Sequence, residues 1–271
     1  MNKQIFRFGS LVGAAAVSMS MFVFVAYANH SWDGYHWARI SNPLSLKLGD
    51  NVSVAWDSYL QSVSGDWSQS SILDTTVVAG QSNPKNCRAI NGRVEVCNNK
   101  YGNNGWLGIA SVWANGAHIT QGTVKLNDTY FNTSKYNTPA WRNLVACQEV
   151  GHTLGLDHQD ETFANANLGT CMDYTNDPDG TISGQFDNEH PNKHDYDELG
   201  ILYAHPDSFN SSSLSLLSRN SNASEVANDI DTSNPSEWGK VVRTSHDGRS
   251  SLYERDLGRG HKVFTFVIWA D

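Results

Sequence analysis

Residues 147–158 read CQEVGHTLGLDH, and this stretch decides how the rest of the chain is read. Positions 148 and 152 are one helical turn apart, so the side chains of Gln148 and His152 project side by side and can reach one metal ion. Glu149 is rotated about 100° from Gln148 along the helix. That places its carboxylate beside the metal position, where it can hold a water without being a ligand. Gly155 can adopt the left-handed conformation that ends a helix and turns the chain back, which lets His158 supply a further ligand. The spacing therefore describes a metal site with a base next to it. Its unusual letter is Gln148, whose amide oxygen is a neutral and weaker donor than an imidazole.

The helix that carries the stretch has clear boundaries. Thr138 is a good N-cap, and Pro139 stands where a first-turn proline is tolerated. Trp141, Leu144, Val145, Gln148, His152 and Gly155 share one face, with Ala146, Val150 and Leu154 roughly opposite. A helix apolar on two faces is a buried central element.

Upstream, Tyr35 to about Ala55 is rich in apolar and β-branched residues, and Leu44, Leu46, Leu48, Val52 and Val54 alternate as in a strand. Asp57 to Leu73 has helical spacing through Tyr59, Leu60, Val63 and Trp67. ILDTTVVAG, GRVEVC, GIASVW and GTVKLNDTYF follow as short strands between Gly and Asn turns. Downstream, PNKHDYDELGILYAH reads as a last helix with acidic residues in its first turn. The order of elements gives an α+β fold for residues 29–206. Residues 207–237 hold ten serines and five asparagines, which is linker composition. Residues 238–271 then read as a small β-meander of three strands. Its last strand, Val263 to Trp269, is apolar on both faces and must dock on something.

At the other end, Lys3 and Arg7 precede an uncharged apolar run from Leu11 to Val25, and Ala26-Tyr27-Ala28 has the small-x-small form of a signal-peptidase site. Residues 1–28 are read as a signal peptide, and the mature protein as secreted or periplasmic, with no membrane association after cleavage. The formal charge is −9, from 19 basic and 28 acidic residues. Without Lys3 and Arg7 it becomes 17 minus 28, or −11, which disfavours nucleic acid as a partner. Four cysteines, all beyond the signal, fit two disulfides in an exported protein. Cys87 and Cys97 bracket Asn91-Gly92, a strong hairpin turn, and are expected to close a local loop.

Fourteen residues after His158 stands Met172, in GTCMDY. With E-x-x-H-x-x-G-x-x-H ahead of it, the chain resembles the metzincin clan of zinc peptidases, most closely its matrixin-like and serralysin-like members, with Gln148 in place of the first zinc-binding histidine. The likeness covers about residues 36–206. It implies a twisted mixed sheet, a central active-site helix, a methionine turn formed by Met172 and a C-terminal helix. It also implies Zn2+ held by Gln148, His152 and His158, with Glu149 as catalytic base and Tyr174, two residues after the methionine, approaching the metal. An extended polypeptide substrate is expected along an edge strand near Gly108 to Trp113. Cys147 points about 100° away from Gln148, so a Cys147–Cys171 disulfide tying the helix to the methionine turn is expected.

Other features carry less. His118, His190, His194 and His205 are candidates to replace the missing ligand, but they lack motif spacing, and surface or capping roles are the favoured reading. Asp177, Asp179 and Asp187 sit in a Gly-rich acidic loop that suits either Ca2+ or a solvated turn, the turn being favoured. Asn51, Asn127, Asn132, Asn210 and Asn222 each begin an N-x-Ser/Thr sequon. The sequence thus points to a secreted zinc endopeptidase. The rivals are a pseudo-peptidase binding module that lost its metal with the change at position 148, and an adhesion protein whose working part is the meander.

Overall fold

The computed structural model describes residues 30–182, 184–211 and 230–270. Segment 1–28, Asn222 and most of the serine-rich linker lie outside the described residues. The architecture is α+β. Among the described residues nine strands form one mixed sheet: β1 His36–Trp37, β2 Leu44–Asn51, β3 Leu73–Ala79, β4 Arg93–Asn99, β5 Trp106–Asn115, β6 His118–Asn127, β7 Lys240–Thr244, β8 Ser250–Gly258 and β9 His261–Trp269. Four helices accompany it: α1 Val54–Trp67, α2 Asp128–Phe131, α3 Pro139–Thr153 and α4 Lys193–Leu202. The strand order is β3-β2-β4-β6-β5-β9-β8-β7, with β1 paired beside β6. Pairings among β2, β3, β4 and β6 are parallel, and those of β5 with its two neighbours are antiparallel.

Local sequence accounts for most element boundaries. Leu44, Leu46 and Leu48 of β2 are buried while Ser45 and Lys47 are exposed, the alternation of a strand with one covered face. That alternation stops before Val54, which begins α1 and is exposed. The helix starts three residues earlier than its spacing suggests because Ser53 is extended and serves as N-cap position. It stops at Trp67, where the polar run Ser68-Gln69-Ser70-Ser71 replaces apolar residues and Leu73 enters β3. The strand expected through Phe131 ends at Asn127, whose side chain accepts from the Thr129 N–H and caps α2. Asn91-Gly92 does form a turn, with Gly92 at φ 76°, but no hairpin. β4 leaves it to pair in parallel with β2 and β6.

The core lies between the sheet and α1 and α3, and is built on Trp37, Leu46, Leu48, Trp56, Trp67, Val94 and Phe131. On the opposite face of β5, Trp106 and Ile109 pack with Trp238 and Val267. Consequently β5 is buried on both faces from Trp106 to Ala114, as strands inside a two-sided sheet are. This differs from the expected edge strand, because β9 continues the sheet beyond it. Both disulfides are formed, Cys87–Cys97 and Cys147–Cys171. Asn51 and Asn127 are buried and hydrogen-bonded, so their sequons are closed in the folded chain. No helix among the described residues is long and apolar enough to cross a membrane.

Candidate metal centre

α3 delivers the first part of the site. The Thr138 hydroxyl accepts from the Trp141 N–H and Pro139 occupies the first turn, which fixes where the helix begins. Its far end is held by indoles: Trp37 Nε1 donates to the Thr153 carbonyl at 2.8 Å and Trp32 Nε1 to that of His152 at 3.1 Å. Gly155 follows at φ 99°, a conformation that costs a residue with a Cβ about 1–2 kcal/mol. Here a Cβ would also strike the Tyr35 carbonyl oxygen. The chain reverses at this glycine and returns His158 to the helix.

The two histidines meet. His152 Nε2 and His158 Nε2 are 3.1 Å apart, with the rings nearly perpendicular. His152 Nδ1 lies 2.9 Å from the Leu156 carbonyl oxygen, which only accepts, so the proton of a neutral His152 sits on Nδ1. His158 Nδ1 faces the Glu161 carboxylate at 3.1 Å, so it too carries its proton there. Burial pulls His152 well below its ordinary pKa and the charge of His158 adds to this. In the tautomer that carries both protons on Nδ1, the two Nε2 lone pairs face one another. Ligands of a tetrahedral zinc bonded at about 2.0–2.1 Å lie roughly 3.3 Å apart, close to the observed separation. Each ring also donates from its other nitrogen to a carbonyl or carboxylate, as metal-bound histidines do.

Gln148 is fully buried. Its Nε2 donates to the Cys171 carbonyl at 2.7 Å, leaving Oε1 with no partner. The amide is thereby oriented with its oxygen free, which is the atom a metal would use. The Cys147–Cys171 bridge and this hydrogen bond join α3 to the methionine turn at adjacent positions. Met172 is fully buried, and its sulphur lies against Gly151 on α3.

Glu149 points to β5. A Cβ on Gly108 would come within 2.7 Å of Glu149 Oε1 and 2.6 Å of Val145, so only glycine lets helix and strand approach this closely. Neither carboxylate oxygen has a hydrogen-bond partner of normal geometry. Burial pushes the carboxyl well above its ordinary range, and the Ala110 backbone N–H draws it only part of the way back. Tyr174 stacks edge-on to His158 at 5.4 Å, but its hydroxyl donates to the Arg249 carbonyl in the β7–β8 turn. Burial raises its pKa far above the usual value, and the charge of Glu149 adds to this.

The C-terminal strands complete the site. Ala110 of β5 pairs with Phe266 of β9, and the Phe266 ring lies flat on His152 with centroids 4.1 Å apart. From β7, Arg243 makes a two-pronged ion pair to Asp157 and contacts Glu161 at 3.1 Å. Burial pushes the Asp157 carboxyl up, and Arg243 and His158 more than reverse this, leaving it below the ordinary range.

Of the residues singled out from sequence, His152, His158 and Tyr174 touch one another in turn, while Gln148 faces the Cys171 carbonyl, Glu149 faces Gly108 and Met172 faces Gly151. Asp157, Glu161, Arg243 and Phe266 were missed. Asp157 and Glu161 flank His158 and were within reach of a closer reading, whereas nothing local marks Arg243 or Phe266. Asp177 and Asp179 approach one another through their carboxyl groups, but with Asp187 they do not form a three-carboxylate group, and each accepts from backbone N–H groups of its own loop. His190 pairs with Asp66, and His194 stacks on His30 at 4.9 Å. His118 and His205 are not isolated surface residues either, since both face Asp207. No protein-family model and no curated protein matches the chain.

Proposed function

We propose that the chain is a zinc-dependent endopeptidase of metzincin type, exported to an oxidising compartment and closed by its own C-terminal strands. The observation that carries the metal is the pair of facing Nε2 atoms on His152 and His158, 3.1 Å apart, with the unpartnered Gln148 Oε1 one helical turn before His152. Three donors of nitrogen and oxygen type suit zinc with an open position for chemistry. Bound zinc would supply Lewis-acid assistance at the scissile carbonyl and a more acidic water. Glu149 accepts the proton of the attacking water and passes it to the leaving amine, a role favoured by a carboxyl whose proton affinity is raised by burial. Glu161 and the Leu156 carbonyl hold the two imidazoles through Nδ1, in the orientation that turns both Nε2 atoms to one point.

Extended peptides bind such clefts by adding a strand to a sheet edge. In this chain β9 holds the flank of β5 that such a peptide would use, and Phe266 covers His152. Hydrolysis of other proteins therefore requires the C-terminal strands to move away. The two disulfides support an extracellular or periplasmic setting.

The test uses the purified mature chain and an unfolded protein substrate. Turnover that is lost on chelation, and lost in Glu149→Ala with metal still bound, is the expected result; undiminished hydrolysis by Glu149→Ala overturns the mechanism. The closed cleft and Gln148 also favour a second reading, a pseudo-peptidase that serves as a binding module. A wild-type chain that takes up no zinc at His152 and His158 under any condition decides for that reading.

A further inference from the structure

A second group of imidazoles shares no residue with the first. β1 and β6 pair so that His36 lies opposite His118, and the segment after α4 brings His205 and Asp207 to the same place. All three Nε2 atoms turn toward one oxygen, Asp207 Oδ1, at 3.6 Å from His36, 3.0 Å from His118 and 3.8 Å from His205. The other Asp207 oxygen is already used, accepting from the Arg39 N–H at 3.0 Å.

His36 makes this more than a surface ion pair. It is 5 % exposed, and its Nδ1 lies 2.9 Å from the Gly34 carbonyl. In a neutral ring the proton is therefore on Nδ1, and Nε2 is the atom turned to the carboxylate oxygen. That Nε2 is buried and has no hydrogen-bond partner. Leaving such an atom unsatisfied is costly, and in a neutral ring its lone pair faces an anion. A cation at the centre removes both penalties. Ligands of a tetrahedral ion bonded at about 2.0–2.1 Å lie roughly 3.3 Å apart, and the His36 and His205 separations from Asp207 Oδ1, 3.6 and 3.8 Å, are a few tenths of an ångström longer. The donor atoms of His36, His205 and Asp207 all lie within 4.8 Å of one another. Two imidazoles and one carboxylate form a donor set for zinc rather than for calcium or magnesium.

We propose that His36, His205 and Asp207 form a second zinc site, with His118 at hydrogen-bond distance from the Asp207 carboxylate that faces it. It ties β1 to the segment that follows α4.

The experiment is a metal count on the full mature chain, stripped by chelator and titrated with Zn2+ against a chromogenic competitor, then with Co2+ for its absorption bands. The wild type is expected to bind two equivalents. His205→Ala removes a side chain that is 63 % exposed, so the fold survives, and it should remove one equivalent and one set of Co2+ bands. Asp207→Asn should do the same, while His158→Ala should remove the other equivalent only. If the wild type binds one zinc, and only His158→Ala abolishes it, the second site is wrong and the catalytic metal stands. If the single zinc is lost only in His205→Ala, the second site stands and the metal on α3 fails. Two equivalents unaffected by either His205→Ala or Asp207→Asn also overturn the proposal, as does a cluster that changes only the pH dependence of unfolding.

Discussion

Truncating Phe266 separates the covering of the cleft from its chemistry. Phe266 is 2 % exposed, lies flat on His152 and meets Trp32 edge-on at 5.5 Å. Removing a buried phenylalanine to alanine costs about 3–5 kcal/mol. If the ring is in water when the C-terminal strands lift away, the whole cost falls on the docked state. Each 1.4 kcal/mol is a factor of about ten in an equilibrium constant, so even the lower bound multiplies the open population by roughly 100. While the open form is a minor species, the initial rate rises in proportion. The nine residues of β9 still pair with β5 through their backbones, so the variant remains mostly closed and its rate remains sensitive to additional changes. The assay is initial hydrolysis of a quenched fluorescent peptide at saturating Zn2+, with Val241→Ala as control because Val241 is exposed on β7. The expectation is a rise of about two orders of magnitude for Phe266→Ala, none for Val241→Ala, and abolition of both by Glu149→Ala. A folded, zinc-loaded Phe266→Ala chain that is no faster than the wild type refutes the reasoning.

Gln148→His should tighten zinc at the α3 site by one to two orders of magnitude, since replacing an amide oxygen by an imidazole is worth about 2 kcal/mol of ligand strength, or roughly 30-fold; competition titration at one pH checks it, and unchanged affinity means position 148 does not bind the metal. The double variant Cys147→Ala/Cys171→Ala opens a loop with a sequence separation of 24. It should lose about 3–4 kcal/mol of stability and weaken zinc as well, because Cys171 supplies the carbonyl that orients Gln148. Lys125 gives a pH signature. Burial lowers its pKa from 10.5 to about 8, and Asp231 only partly restores it. The unfolded chain then binds more protons between those values, so stability rises with pH across that window and is flat below it. Lys125→Met should be more stable than the wild type at pH 7 by up to about 3 kcal/mol, with the advantage gone by pH 10.5, as denaturant melts at several pH values would show.

What the sequence discloses is what is settled within a turn or two of chain. The cap at Thr138, the reversal at Gly155 and the proximity of positions 148 and 152 follow from local rules, and each takes its expected form. The alternation in β2 is equally local, yet it runs on through Val52 to Val54 in the sequence, and only the extended Ser53 shows where the helix takes over. Beyond that range legibility fails for a physical reason. Whether β5 is an edge depends on a strand more than 140 positions downstream, and hydrophobicity on both faces of β9 states that it is covered without stating by what. His36, His118 and His205 are three unremarkable letters until parallel pairing and the end of α4 bring them to one carboxylate.

The indole that braces the end of α3 has an optical consequence. Trp32 is buried, donates to the His152 carbonyl, stacks on Tyr35 at 4.8 Å and touches both Phe264 and Phe266. Its emission is therefore that of an apolar, rigid surrounding while β9 is in place, and it shifts to longer wavelength once water reaches the ring. Co2+ bound at His152 and His158 would quench the same fluorophore by energy transfer at short range. The difference between the wild type and Trp32→Phe isolates this signal from the other tryptophans. Occupancy of the cleft and occupancy of the metal position thus become two readings of one intrinsic chromophore, in real time and without a substrate.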